Sequence, residues 1–360
     1  MAKKKSSAKN LKKKGSSKFR KIFVASLLIF FFSGIGLIYF YYESVYQRNI
    51  TLKNNEPYIY IKTGSDFEDV KKLLEEKNIL LNTASFEWLA KQKNYTNRVK
   101  PGKYRLENGM TNNELINKLR AGNQESVNLT INNIRTKYEL ISKVCTALET
   151  DSNELKNILE NDHQLEKLKL NSDNIISIFI PNTYQFFWNT SAKDFFDRMI
   201  NESDKFWNRS RIEKLHKLKL SKAQVITIAS IVEKESNYLP ERPSIASVYL
   251  NRIRKGMKLQ ADPTVVYAVG DFTINRVLDV HLKKDSPYNT YMYEGLPPGP
   301  ICIPSANAID AVLKNEKTSY IYFCAKEDFS GRHNFATTNA QHSINANKFR
   351  KALNKRKIYK

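Results

Sequence analysis

Residues 226–270 read ITIASIVEKESNYLPERPSIASVYLNRIRKGMKLQADPTVVYAVG, and this stretch decides the fold and the chemistry. Ser221 and Gln224, just ahead of it, form a capping box that starts a helix. From Val225 to Val232 the residues are apolar or small almost all round, which predicts a buried helix. Glu233 and Glu235 close that helix at its C-terminal end, where the helix dipole disfavours negative charge. Burial disfavours the carboxylate as well, so a carboxyl here is expected to titrate toward neutrality. A carboxylic acid still protonated at pH 7 is what a glycosidase or lyase uses to protonate a leaving oxygen. A second helix is expected over Pro243–Arg254, closed by Gly256, followed by a polar loop and the Asp262-Pro263 pair.

Helix phase does not choose between the two glutamates. Glu235 is in register with Ile228, Ile231 and Val232, and Glu233 with Ile226, Ala229 and Ser230, so both faces are apolar or small. A glutamate at a helix end is more often a solvated surface residue than a catalyst. Asp262 before Pro263 suits an N-cap, with proline at the first helical position, better than a substrate contact. Gln260, two residues ahead of that helix start, is a candidate sugar hydrogen-bonding group. Tyr288, Asn289 and Tyr291 in PYNTY (287–291) offer ring faces and an amide to a sugar, or else an ordinary Asn-Thr turn between packed tyrosines.

VEKES, ASVYLNRI, GMKLQADPTVVY, PYNTY and GLPPGPI (295–301) follow one another in the order of the endolytic murein transglycosylase family (MltG/YceG-like), which this chain resembles beyond its N-terminal apolar segment. PGKYRLENGMTNNELINKLRAGNQ (101–124) resembles the LysM-like module that precedes the catalytic part in that family. The resemblance implies cleavage of peptidoglycan strands between N-acetylmuramic acid and N-acetylglucosamine, with a 1,6-anhydromuramyl product. It assigns the catalytic acid and base to Glu235, through the Glu235-Ser236 pair. Gln260, Asp262, Tyr288, Asn289 and Tyr291 become substrate-binding residues, and Glu233, Glu241 and His333 supporting ones. His333-Asn334-Phe335 matches a family His-x-Phe pattern, and the family carries an aromatic Pro-x-Thr-Tyr segment where FIPNTYQF (179–186) stands. One carboxyl suffices for that reaction. A hydrolytic muramidase would use two, and Glu241 and Asp262 are the nearest candidates for the second. A wall-binding anchor without activity is the remaining reading, with Glu235 structural.

The fold class that follows is α+β: a transmembrane helix, a small LysM-like α+β module, then a mixed α+β catalytic domain. The expected division is a basic tail over 1–21, a transmembrane helix over 22–42, a linker over 43–56, the LysM-like module over 57–125 and the catalytic domain over 126–360. In the module, strands are expected over Tyr58–Lys62 and Lys103–Leu106. Helices are expected over Asp66–Lys77 with Ser65 as N-cap, over Phe86–Lys91, and from Thr111 to Gly122. Beyond it come a strand over Val127–Ile131, a charged helical stretch over Lys137–Leu170 and a loop at FIPNTYQF. A single long helix over Ala192–Leu218, a buried strand over Ser319–Ala325 and a terminal helix over Ser343–Leu353 complete the pattern.

Ile22–Tyr42 is a run of 21 residues without a charge, long enough to cross a bilayer. Ten Lys or Arg precede it in residues 1–21 and Glu43 follows, so the positive-inside rule places the N-terminus in the cytoplasm and the rest outside, on the inner (cytoplasmic) membrane as a single-pass protein. The bulky aromatic end of the run, YFYYESVYQ, suits an interfacial belt better than a signal-peptidase site. Ten of the +23 net charges lie in that short tail; without those ten residues 49 bases face 36 acids. With no basic stripe outside the N-terminal tail and the basic C-terminal run, and no recognised module, nucleic acid is not an expected partner. Glycan strands and the bilayer are the expected ones, and peptidoglycan synthases are kept as candidates. No cofactor or metal is expected, since no Cys or His spacing suits a ligand set. Three cysteines, Cys145, Cys302 and Cys324, are too few and too odd in number for a disulfide framework, although pairing of the last two is left open.

Overall fold

The structure, a computed structural model, describes residues 16–52 and 56–356. It is α+β and divides into two compact units between Glu125 and Ser126.

The N-terminal unit begins with helix α1 (Ser16–Tyr46), within which the most apolar 18-residue window of Lys18–Tyr46 has a mean hydropathy of 2.4 and no burial. It is the one helix among the described residues long and apolar enough to cross a membrane. Its last turn is not a linker. Ser44 and Val45 are buried, and Phe40 and Tyr41 meet the Trp88 ring edge-on. Arg48 and Ile50 then form β-bridges to Thr111 and Leu80. The expected linker over 43–56 is therefore corrected: residues 43–50 belong to the folded unit, because apolar side chains there complete its core, whereas 53–55 lie outside the described residues.

Strand β1 (Tyr58–Ile61), helices α2 (Phe67–Glu76) and α3 (Thr83–Gln92), strand β2 (Gly102–Arg105) and helix α4 (Asn112–Ala121) follow, with β1 antiparallel to β2. Asp66, not Ser65, caps α2. Its carboxylate accepts from the Asp69 amide while Asp69 reaches back to the Asp66 amide, a reciprocal pair that Ser65 cannot make one residue earlier. Thr111 and Glu114 form the same box on α4, and Gly122 ends it in the left-handed conformation.

The C-terminal unit opens with β3 (Ser126–Ile131), then α5 (Lys137–Ala147), α6 (Ser152–Glu160) and the short α7 (Asp162–Leu165). The charged stretch expected as one helical region is broken because Asp151 and Asn161 each cap a new helix. FIPNTYQF is not a loop: β4 (Asn182–Phe187) pairs antiparallel with β3. Tyr184 and Phe186 point into the core, while Thr183 and Thr130 hydrogen-bond on the other face. This period-2 alternation is masked in the sequence by aromatic residues on both faces. The long helix expected over 192–218 is two, α8 (Ala192–Phe206) and α9 (Arg209–Leu218), since buried Trp207 turns the chain and Asn208 caps the second.

Next come α10 (Lys222–Glu235), with the Ser221–Gln224 box in place, and α11 (Arg242–Arg254). They are followed by α12 (Asp262–Val269), α13 (Asp279–Leu282) and α14 (Ala306–Lys314). Strands β5 (Tyr322–Ala325) and β6 (His333–Ala336) pair antiparallel, and α15 (Asn339–Lys355), capped by Thr338, ends the described chain. The strand is shorter than Ser319–Ala325 and half-buried, as a two-stranded ribbon leaves one face open.

Every residue of α10 from Val225 to Val232 is buried, in a cluster shared with Ile245, Ala246 and Tyr249 of α11 and Ile309 and Val312 of α14. At about 25 cal/mol per Å² of apolar surface, such packing is the main force holding the helix in place. A second cluster joins β3 and β4 to α5, α6 and α8. Buried Ser230 on α10 donates to the Thr227 carbonyl, and its oxygen accepts from the Ile301 amide, pinning the end of GLPPGPI. A Cβ on Gly299 would collide with the Asp173 carbonyl oxygen, so this segment packs backbone to backbone.

Candidate active site

The end of α10 reaches a cleft of about 360 Å³ lined by Glu235, Asp262, Tyr267, Phe272, Ile301 and three cations described below. Tyr249 on α11, buried to 2% exposure, donates its hydroxyl hydrogen to Glu235 Oε1 at 2.5 Å. The Glu235 carboxyl titrates at about 7, raised from 4.5. Burial is the main cause and the negative charge of Asp262 adds to it; the Tyr249 hydrogen bond and the charge of Arg252 oppose it. The carboxyl is thus poised between acid and base near neutral pH.

Glu233 leaves the same turn toward α14. Its Oε2 accepts from the Ser305 hydroxyl at 2.6 Å and pairs with buried Arg242 at 2.8 Å. Ser305 also caps α14, and Arg242 donates to it as well. Glu233 therefore ties three elements together and has little capacity left for a substrate.

Asp262 is not the N-cap of α12. Ala261 occupies that position, and the Asp262 carboxylate instead accepts from the Tyr291 hydroxyl at 2.5 Å on the cleft wall. The capping expectation fails because the loop turns one residue earlier. Gln260 adopts a left-handed backbone (φ +49°), donates its N–H to the Thr290 carbonyl and accepts from Arg252 Nη1 at 3.3 Å. It does not line the cleft. Asn289 corrects the expectation of sugar contact most clearly. It is fully buried, and its amide donates to the carbonyls of Leu282 and Lys284 and accepts from the Tyr291 N–H. With its hydrogen-bonding capacity spent on backbone, it holds the loop that carries Tyr291 and cannot itself grip a sugar. Tyr288 packs on Tyr267 with ring centroids 4.6 Å apart and lines an adjoining hollow with Tyr138 and Asp173. Tyr267 borders both spaces.

Glu241 and His333 form a pair away from the cleft lining. The carboxylate accepts from the His333 backbone N–H and lies 3.1 Å from Nδ1, which must therefore carry the proton. The pair fastens β6 to the start of α11.

Sequence reasoning missed Tyr249, Arg252 and Thr290. Arg252 is buried and donates to the carbonyls of Leu259 (2.7 Å) and Ile321 (2.7 Å), bracing the loop before Asp262. Thr290 Oγ1 accepts from the Ala261 amide and bonds Thr264. The available signal was Tyr249 and Arg252 at i, i+3 on a helix that also carries Ile245, Ala246 and Val248, two polar tips needing buried partners.

Residues 59–348 match the YceG-like family. The chain belongs to this family. It is 30% identical over 316 residues to the "Endolytic murein transglycosylase" of Bacillus subtilis (strain 168), covering 83% of this chain and 86% of that one. It is 29% identical to the protein of the same name from Streptococcus pneumoniae (serotype 2, strain D39), covering 90% of this chain and 64% of that relative's length. The 2.6 Å crystal structure of a YceG-like protein from Listeria monocytogenes superposes with a TM-score of 0.53 at 28% identity, over 80% of this chain and 97% of that one. In this YceG-like chain VEKES is the last turn of α10, GLPPGPI brings Ile301 to its cleft, and PYNTY holds Asp262 of the cleft wall through Tyr291.

Proposed function

We propose that the protein is an endolytic lytic transglycosylase of murein in which Glu235 is the acid and then the base. The relatives' names support the reaction class. The observation that carries the residue assignment is that Glu235, of the two carboxyls on the cleft, is raised to about 7, beside a neighbouring glutamate committed to a buried arginine. Protonated Glu235 gives its proton to the oxygen between N-acetylmuramic acid and N-acetylglucosamine as the C1–O bond breaks. The resulting carboxylate, held by Tyr249, takes the proton from the muramyl C6 hydroxyl while its oxygen closes on C1. The 1,6-anhydro ring forms, and Glu235 is protonated again without consuming water. Tyr291 fixes Asp262, whose charge keeps the Glu235 proton in place. Tyr288 and Tyr267 offer ring faces for further sugars of the strand.

The second reading is a hydrolytic muramidase, favoured by one observation: Asp262 shares the cleft with Glu235. Mass spectrometry of the new strand ends tests the choice, because an anhydro end is lighter than a reducing end by one water. Reducing ends alone would overturn the transglycosylase assignment.

Helix α1 serves in this proposal as a single-pass anchor in the cytoplasmic membrane, with the basic tail inside and the catalytic unit outside. The N-terminal unit acts as a LysM-like module that holds glycan, supported by its strand–helix–helix–strand order and small size. Terminating strand elongation beside peptidoglycan synthases fits such an anchor. A periplasmic-active reporter at the C-terminus should be active and the chain should resist alkaline extraction; a released, shortened form would refute the anchor.

A further inference from the structure

The cleft holds more positive charge than the proposed chemistry uses. Arg135, Lys234 and Arg276 line it together with the two carboxylates. Lys234 is engaged, donating to Asn133 Oδ1 at 2.8 Å. The Arg135 guanidinium lies over the Phe272 ring, 4.3 Å from its centroid. Stacking of that kind holds the group by its face and leaves its in-plane N–H donors free. The backbone N–H of Arg135, rather than the guanidinium, satisfies Glu139. Arg276 is exposed on the loop between α12 and α13. Among the described residues neither guanidinium is paired with a carboxylate, although Glu235 and Asp262 line the same cleft and are held by tyrosines instead.

Two unpaired guanidiniums in one cleft favour an anionic ligand, and their planar forks suit a carboxylate. A chain of N-acetylated amino sugars is itself neutral. The anions of murein are the carboxylates of the peptide attached to the muramyl lactyl group. We infer that Arg135 and Arg276 form a subsite for a peptide-stem carboxylate, so that the enzyme selects peptide-bearing strands over stripped ones. This rests on the glycan-cleaving reading above.

The test uses the full chain and one strand preparation, half of it treated with an amidase that removes the peptides. The readout is kcat/KM for new strand ends. The wild type should prefer peptide-bearing strands by about tenfold or more, since a charge-assisted hydrogen bond contributes on that scale. The preference should lie mainly in KM and shrink with added salt. The R135Q/R276Q pair should lose most of it, whereas R276K, which keeps the charge, should retain part. Equal use of both substrates by the wild type overturns the subsite, as does an unchanged preference in the double variant at unchanged Tm. A preference that vanishes when wall phosphate polymers are stripped from both halves also overturns the carboxylate assignment. Should neither strand be cut, the cleavage reading fails, and co-sedimentation with the same two preparations decides the subsite. Wild-type retention of peptide-bearing strands that the double variant lacks would still support it, and equal retention would refute it.

Discussion

Two carboxylates leave the last turn of α10 two residues apart and meet opposite surroundings. Glu233 points toward α14 and finds a buried guanidinium and a helix-capping hydroxyl. Glu235 points into the cleft and finds a phenol and a nearby carboxylate. The backbone offers both the same unfavourable helix terminus. The difference lies in what the neighbouring elements bring: α11 presents Arg242 to one and Tyr249 to the other. The carboxylate that pairs directly with a cation becomes a structural tie, and the one whose burial outweighs the more distant charge of Arg252 keeps its proton to about pH 7.

Glu235→Gln should break the comparison most sharply. It keeps shape and volume but cannot transfer a proton, so strand cleavage should fall by about 10⁴-fold, at the upper end for general acid–base catalysis. Tm at neutral pH should not fall. Near-wild-type turnover would remove Glu235 from the chemistry.

Glu233→Gln should act through stability. Arg242, 4% exposed at its side chain, would lose its charge partner, and breaking such a pair costs about 3–5 kcal/mol, less here because Glu233 keeps some contact with water. Thermal unfolding should show a clear fall in Tm, with activity at low temperature falling only in step with the folded fraction. A large loss of kcat at unchanged Tm would reverse the roles of the two glutamates.

The pH dependence sharpens the contrast. The Glu235 carboxyl is raised in the folded protein, so the folded state holds this proton more tightly than the unfolded one. Its ionisation destabilises the fold as pH rises from about 4.5 to about 7, by an amount of order 1–3 kcal/mol. The Tm of Glu235→Gln relative to wild type should therefore increase across that window and level off above it. The wild-type kcat should decline above an apparent pKa near 7. Asp262→Asn removes one cause of the shift and should move that limb to lower pH by less than about one unit. A limb that stays put would show that Asp262 does not act on Glu235 through its charge.

The smallest expected effect distinguishes two members of one motif. Asn289→Ala should cost stability by about 1–3 kcal/mol, since two buried carbonyls and an N–H lose partners. Tyr288→Ala should instead raise KM several-fold for long strands with a smaller fall in Tm. If Asn289→Ala leaves Tm unchanged and weakens substrate use, its amide reaches sugar after all.

Much of the fold was legible. The capping boxes at Ser221–Gln224 and Thr111–Glu114, the apolar run of α10 and the left-handed stop at Gly122 are local devices, and local sequence carries them. β4 was not legible, because its pairing with β3 is made across 50 residues and its aromatic residues obscure the alternation. The site was legible in its parts and not in its wiring. Asp262 looked like a cap because Asp-Pro is a common helix opening, yet the chain turns at Ala261 and frees the carboxylate for Tyr291. Asn289 looked like a sugar ligand because its type suits one, but burial fixed its use.

By itself the sequence determined that a long apolar helix stands near the N-terminus, that an α+β body follows, and that two carboxylates close an apolar helix. Each of these is set by composition and by periodicity within a few turns. Only the tertiary structure decided which carboxyl is raised toward neutrality, which polar groups face the cleft and which are consumed by backbone. A side chain's pKa and availability depend on residues brought beside it from distant segments. Arg242, Tyr249 and Asp262 do that here, and spacing along the chain does not encode their distances.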